Sequence, residues 1–136
     1  MNDHFILVTG GTGFIGSTLC RSLVEDGHKL IVLTRNRQRA IQRFGSELGA
    51  IESLAKLDTG HALYIIVNLA GLSLGSGRWT DQLKQIFVAS RVDTTRRLIE
   101  YIARTSNIPR VLLSGLAVGY YGARGDEVLL DCSLPK

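Results

Sequence analysis

Gly10-Gly11-Thr12-Gly13-Phe14-Ile15-Gly16 follows the run Phe5-Ile6-Leu7-Val8-Thr9 without a break, and this junction constrains the fold more than any other stretch of the chain. The apolar, partly β-branched run suits a strand buried on both faces of a parallel sheet. The glycines satisfy two spacings at once, G-x-G-x-x-G from Gly11 and G-x-x-G-x-x-G from Gly10. Phe14, Ile15, Leu19 and Leu23 recur at helical spacing, and Gly27 sits where a left-handed cap would end the helix. Bare backbone between a strand and a helix N-terminus lets a pyrophosphate approach, because free N–H groups and the helix dipole favour an anion there. Gly10, Gly11, Thr12, Gly13, Phe14, Ile15 and Gly16 are therefore candidate cofactor-binding residues. No Lys-Ser or Lys-Thr follows the last glycine, which excludes a phosphate-cradling P-loop.

The rest of the chain repeats the strand-then-helix pattern. Leu30–Thr34 reads as a second strand, Arg37–Phe44 as a basic helix, Ala50–Leu54 as a weak third strand, Tyr64–Asn68 as a fourth and Arg110–Ser114 as a fifth. Asp81 to Arg104 reads as one long helix with Leu83, Phe87, Leu98 and Ile102 on a single stripe. Ser90 and Thr94 interrupt it, where the helix would pass over something polar. The alternation predicts an α/β fold, a Rossmann-type doubly wound parallel sheet of about five strands with right-handed crossovers. Ala55–Leu63 is shorter than a helical crossover usually takes, so a loop or a single turn is expected there. No repeat, low-complexity tract or linker divides residues 1–136, so one NAD(P)-binding domain with a single core is expected.

The end of the second strand selects the cofactor. A dinucleotide site usually carries Asp or Glu there to bind the ribose 2′-hydroxyl, whereas this chain has Thr34-Arg35. A guanidinium cannot accept from a hydroxyl, yet it suits a 2′-phosphate through two charge-assisted bonds, with Arg37 as reinforcement. NADP(H) is thus favoured over NAD(H), with Thr34 and Arg35 among its contacts.

Charge and composition exclude several other partners. The net charge of +4 and the neighbouring Arg35, Arg37, Arg39 and Arg43 would suit nucleic acid, but no nucleic-acid motif is present and no aromatic residue lies between those arginines. No apolar run approaches the roughly 18 residues of a membrane helix, and the opening Met1-Asn2-Asp3-His4 lacks the basic region of a secretory signal. A cytoplasmic protein without membrane or nucleic-acid partners is expected. Cys20 and Cys132 have neither metal nor redox spacing, so no disulfide is expected and Cys20 should pack as a small hydrophobe. His4, His28 and His61 are dispersed, so no metal site is expected.

The glycine loop, Asn68-Leu69-Ala70-Gly71, Arg78-Trp79-Thr80, Ser90-Arg91 and Ala117-Val118-Gly119-Tyr120-Tyr121-Gly122 occur in order over nearly the whole chain. Together they resemble the epimerase-like group of atypical, extended short-chain dehydrogenases/reductases, relatives of the nucleotide-sugar epimerases. The resemblance implies an NADP(H)-binding domain of an enzyme acting on a nucleotide-sugar-like or carbonyl substrate, with Leu69, Ala70 and Gly71 lining the cofactor by backbone contacts. It also implies a longer protein, about twice this length, so that the chain is expected to be an N-terminal portion or a truncated product.

Three departures leave the catalytic residues unassigned. Extended members share proton transfer between a serine after the fifth strand and a Tyr-x-x-x-Lys pair. The serine's place here is held by Leu116, and no Tyr is followed four positions later by Lys. Leu72-Ser73 stands where the family pattern tends to carry Glu-Pro. Two function classes follow: the cofactor half of an oxidoreductase or epimerase-like enzyme, or a nucleotide-binding module without turnover.

Overall fold

The computed structural model describes residues 4–46, 48–57, 62–73, 75–115 and 118–135. Five strands, β1 (Phe5–Thr9), β2 (Lys29–Leu33), β3 (Gly49–Ile51), β4 (Leu63–Asn68) and β5 (Val111–Ser114), form one parallel sheet in the order β3-β2-β1-β4-β5. The helices are α1 (Phe14–Glu25), α2 (Arg37–Phe44) and α3 (Asp81–Arg104). Fold class and strand number agree with the expectation from sequence.

Both faces of the sheet are covered at its centre, which is why β1 and β2 are apolar without alternation. On one face Ile6, Val8, Leu30 and Val32 pack with Cys20 of α1 and Ala40 of α2. On the other Leu7, Ile31 and Ile66 pack with Leu98 and Tyr101 of α3. Each fully buried aliphatic side chain contributes about 1.5–3 kcal/mol of transfer free energy. The predicted stripe on α3 is the one that packs: Phe87 and Leu98 are buried and Leu83 and Ile102 half-buried.

Capping sets the helix ends. Asn36 accepts from Arg39 N–H at 2.9 Å to start α2, and Thr80 accepts from Leu83 N–H at 3.1 Å to start α3. Gly27, at φ +79°, ends α1 in the left-handed region as expected. The link between β3 and β4 begins with a single 3₁₀ turn, Leu54–Lys56, in place of a crossover helix. Residues 58–61, including His61, lie outside the described residues.

Two elements differ from their sequence reading. β3 is cut to three residues, because Ser53 caps the 3₁₀ turn by accepting from Ala55 N–H at 3.2 Å. β5 is apolar like the central strands, yet all four of its residues are exposed. It is the outer strand of the sheet and pairs with β4.

Cys20 is wholly buried and Cys132 exposed, both as free thiols. Burial pushes the Cys20 thiol up from 9.0 to about 11. A thiol raised by folding stabilises the native state below its unfolded value and loses that contribution as the pH climbs through the native one. Stability should therefore decline between pH 9.0 and about 11. A Cys20→Ala variant should show a shallower decline over that window in thermal unfolding, and an identical slope in both proteins would contradict the assignment.

Candidate dinucleotide-binding site

The chain passes from β1 to β2 on one side and returns after β3 to β4 on the other, so the order of the sheet reverses at β1. In open parallel sheets the crevice outside the carboxyl ends of the strands at such a point receives ligands. The glycine loop, Thr34-Arg35 and Leu69-Ala70-Gly71 all lie at the carboxyl ends of strands bordering it: β1, β2 and β4.

Each loop glycine has its own steric reason. Gly10 adopts φ +69°, and a Cβ there would collide with the Leu69 carbonyl. A Cβ on Gly16 would strike the Gly10 carbonyl, so the first turn of α1 lies directly against the loop. A Cβ on Gly11 would come 2.9 Å from Val32 Cγ1 and 3.0 Å from Cys20 Sγ, inside the core. Gly13 differs, because it is exposed and a Cβ would meet only the Gly10 carbonyl, at 3.2 Å. It is the N-cap of α1, and no side chain caps that helix. Phe14 and Ile15 point outward at 96% and 67% exposure, leaving the helix N-terminus uncovered. The cradle is open where an anionic group would approach, and its residues fit a pyrophosphate.

A polar row, buried at Thr9 and Asn68, fixes the other wall. The strand register sets Thr9 beside Asn68 and Asn68 beside Ser114. Thr9 Oγ1 donates to Asn68 Oδ1 at 2.6 Å and accepts from Ala70 N–H at 3.1 Å. Asn68 Nδ2 donates to Thr95 Oγ1 of α3 at 3.0 Å and to Ser114 Oγ at 3.4 Å. Leu69 N–H completes the hold by donating to the Thr9 carbonyl at 3.1 Å. Satisfied buried groups of this kind rigidify their surroundings, and here they hold Leu69 and Ala70 against Gly10.

At the end of β2, Arg35, Asn36, Arg37, Gln38, Ile41 and Glu52 line a cavity of about 520 Å³. Thr34 Oγ1 accepts from Asn36 N–H at 3.2 Å, so it shapes the turn that carries Arg35. Arg43, on α2, donates from Nη1 to the Thr12 carbonyl at 3.3 Å, which brings a third arginine of this cluster to the glycine loop. The sequence reading missed Glu52, a carboxylate in the same cavity, half-exposed and 3.7 Å from Lys56. Its position just past β3, the neighbour of β2, was the available signal.

Among residues near the missing catalytic pattern, Leu116 lies outside the described residues. Ser114 Oγ faces Asn68. Tyr120 and Tyr121 sit edge to face at 5.2 Å. Trp79 rests on Phe87 at 5.3 Å, anchoring the start of α3. Among the described residues no group of His, Cys, Asp or Glu could hold a metal ion, and no helix is long and apolar enough to cross a membrane.

The sequence profile of the NAD dependent epimerase/dehydratase family matches residues 6–131. The chain is 35% identical over 129 residues to the epimerase family protein YfhF of Bacillus subtilis (strain 168), covering 94% of this chain and 42% of that protein. The crystal structure of the human epimerase family protein SDR39U1 (isoform 2) with NADPH superimposes with a TM-score of 0.70 at 28% identity, over 86% of this chain and 38% of that one. MoeE5 in complex with UDP-glucose and NAD gives 0.70 at 25% identity, over 96% and 42%. The chain thus spans less than half the length of these relatives.

Proposed function

The chain belongs to the NAD dependent epimerase/dehydratase family, and from that premise we propose that it is the NADP(H)-binding domain of an epimerase-like short-chain dehydrogenase/reductase. The observation that carries this reading is the uncapped N-terminus of α1 above an exposed Gly13, with a glycine cradle on one side and the Thr9–Asn68 row on the other. The pyrophosphate lies against Gly10, Gly11, Thr12, Gly13, Phe14, Ile15 and Gly16. The adenosine 2′-phosphate lies at Arg35 beside Thr34, and the other half of the dinucleotide runs along Leu69, Ala70 and Gly71. Such a cofactor supplies hydride transfer, while the protein binds and orients it.

The choice of NADP(H) over NAD(H) rests on charge. Arg35 and Arg37 line the cavity, the end of β2 carries no carboxylate, and Glu52 is the one acid against them. The NADPH bound by the human relative supports this choice. The substrate, in the family a nucleotide sugar or a carbonyl compound, has no residue assigned to it here.

A second reading, binding without turnover, is favoured by Ser114 being engaged with Asn68. One set of measurements addresses both. Calorimetric titration with NADPH should give saturable binding, and no heat at millimolar cofactor would end the cofactor reading. Absorbance at the reduced-nicotinamide band, with nucleotide sugars and simple carbonyl compounds, should show no steady oxidation or reduction by the chain or by a Leu116→Ser variant. Steady turnover would reject the second reading and make Ser114, Tyr120 and Tyr121 the first hydroxyls to replace.

A further inference from the structure

Two consecutive side chains of α3 grip the backbone of the segment that follows β4. Leu72 N–H donates to Ser90 Oγ at 3.0 Å, and Ser90 Oγ donates in turn to the Phe87 carbonyl at 2.8 Å. Arg91 Nη2 donates to the Leu72 carbonyl at 3.2 Å while its Nη1 donates to the Phe87 carbonyl, also at 3.2 Å. Both backbone polar groups of Leu72 are thereby tied to one carbonyl of α3, and Phe87 itself is buried. The guanidinium lies flat against Gly71: a Cβ there would come 2.9 Å from Arg91 Cζ and 3.1 Å from Nη2. Among the described residues no carboxylate forms an ion pair with Arg91. Its hydrogen bonds go to main-chain carbonyls.

We infer that Ser90 and Arg91 are positioning residues that clasp Gly71-Leu72 to α3 and so hold the Leu69–Gly71 wall of the crevice in the shape that accepts the nicotinamide half of the dinucleotide. The inference rests on the cofactor reading above. The segment is suspended between two supports: Thr9 fixes Leu69 and Ala70 at one end, and the clasp fixes Gly71 and Leu72 at the other. A planar fork can bridge two carbonyls at fixed separation, whereas an ammonium acts as a point charge on a flexible stem. Arginine is needed for its geometry, and serine for being small enough to accept and donate within one turn.

The test separates the two halves of the ligand. NADPH spans the whole crevice, and adenosine 2′,5′-bisphosphate reaches only the Arg35 side. For Ser90→Ala, Arg91→Met and Arg91→Lys, the affinity for NADPH should fall roughly tenfold, as expected for losing fixed hydrogen bonds, with that for adenosine 2′,5′-bisphosphate unchanged. Leu72 N–H should exchange with solvent deuterium faster in Ser90→Ala than in the parent. Equal loss for both ligands would reduce the clasp to a general structural role and overturn the inference. Full NADPH affinity in Arg91→Lys would also overturn it, since charge alone would then suffice. A parent chain that binds adenosine 2′,5′-bisphosphate but not NADPH would refute the clasp while sparing the Arg35 site. Failure to bind either would refute the cofactor reading itself.

Discussion

Replacing Gly13 by valine should abolish dinucleotide binding while leaving most of the fold's stability in place. The backbone at Gly13 is extended, with φ −77° and ψ −175°, a conformation that a β-branched residue accepts. Its Cβ would press only on the Gly10 carbonyl, which must yield by a few tenths of an ångström. The branched methyl groups, however, would fill the open mouth of the cradle above the α1 N-terminus. A pyrophosphate kept from its backbone donors loses several charge-assisted hydrogen bonds together, so affinity should drop by more than about a hundredfold, or about 2.7 kcal/mol. Gly16→Val provides the contrast. There the Cβ strikes the Gly10 carbonyl inside the fold, so thermal stability should fall along with binding. Titration and thermal unfolding on both variants check the pair, and a Gly13→Val chain binding NADPH as tightly as its parent would remove the glycine loop from the site.

That contrast also shows what the residues alone reveal. The glycine spacing identifies the turn, but only the packing separates Gly10, Gly11 and Gly16, where a Cβ would collide with several protein atoms, from exposed Gly13, where it would meet the Gly10 carbonyl alone. The apolar run of β1, the cap at Gly27 and the stripe on α3 are local or periodic patterns, and each element appears where its pattern lies. Boundaries of β2, β4 and β5 move by one residue, since pairing with a neighbour rather than local preference ends a strand.

Interactions between distant segments were not legible. Asn68 is recognisable in Asn-Leu-Ala-Gly, yet its role as a junction of β1, α3 and β5 depends on partners brought together by register. Ser90 had a partial signal: a hydroxyl interrupting an apolar stripe predicts something polar opposite, and the backbone N–H of Leu72 is what it meets. Arg91 stood out only as part of the Ser90-Arg91 motif, and nothing in that motif points to the Leu72 carbonyl it holds. The exposure of β5 likewise contradicts its composition, since an apolar strand carries no mark of whether a neighbour covers it.

Arg35→Ala should convert a chain that prefers NADPH into one that does not distinguish it from NADH. Arg35 is exposed at the lip of its cavity, so its loss leaves no buried group unsatisfied and the fold should be indifferent. The 2′-phosphate, in contrast, loses a bidentate guanidinium partner, a change worth roughly ten- to a hundredfold in affinity. NADH, which has a hydroxyl there, should bind both proteins alike. Arg37 and Arg43 leave residual positive potential after the substitution, so the NADPH affinity of the variant should still fall with added salt, though less steeply than that of the parent. Glu52 supplies the opposing control. Its carboxylate repels a phosphate in the same cavity, and Glu52→Gln should strengthen NADPH binding while leaving NADH unchanged or weaker, since a carboxylate is the group that would accept from a ribose hydroxyl. Calorimetric titration of both cofactors into the three proteins decides the matter. Equal affinity of the parent for NADPH and NADH would show that Arg35 is a solvated surface arginine and that cofactor choice is made elsewhere.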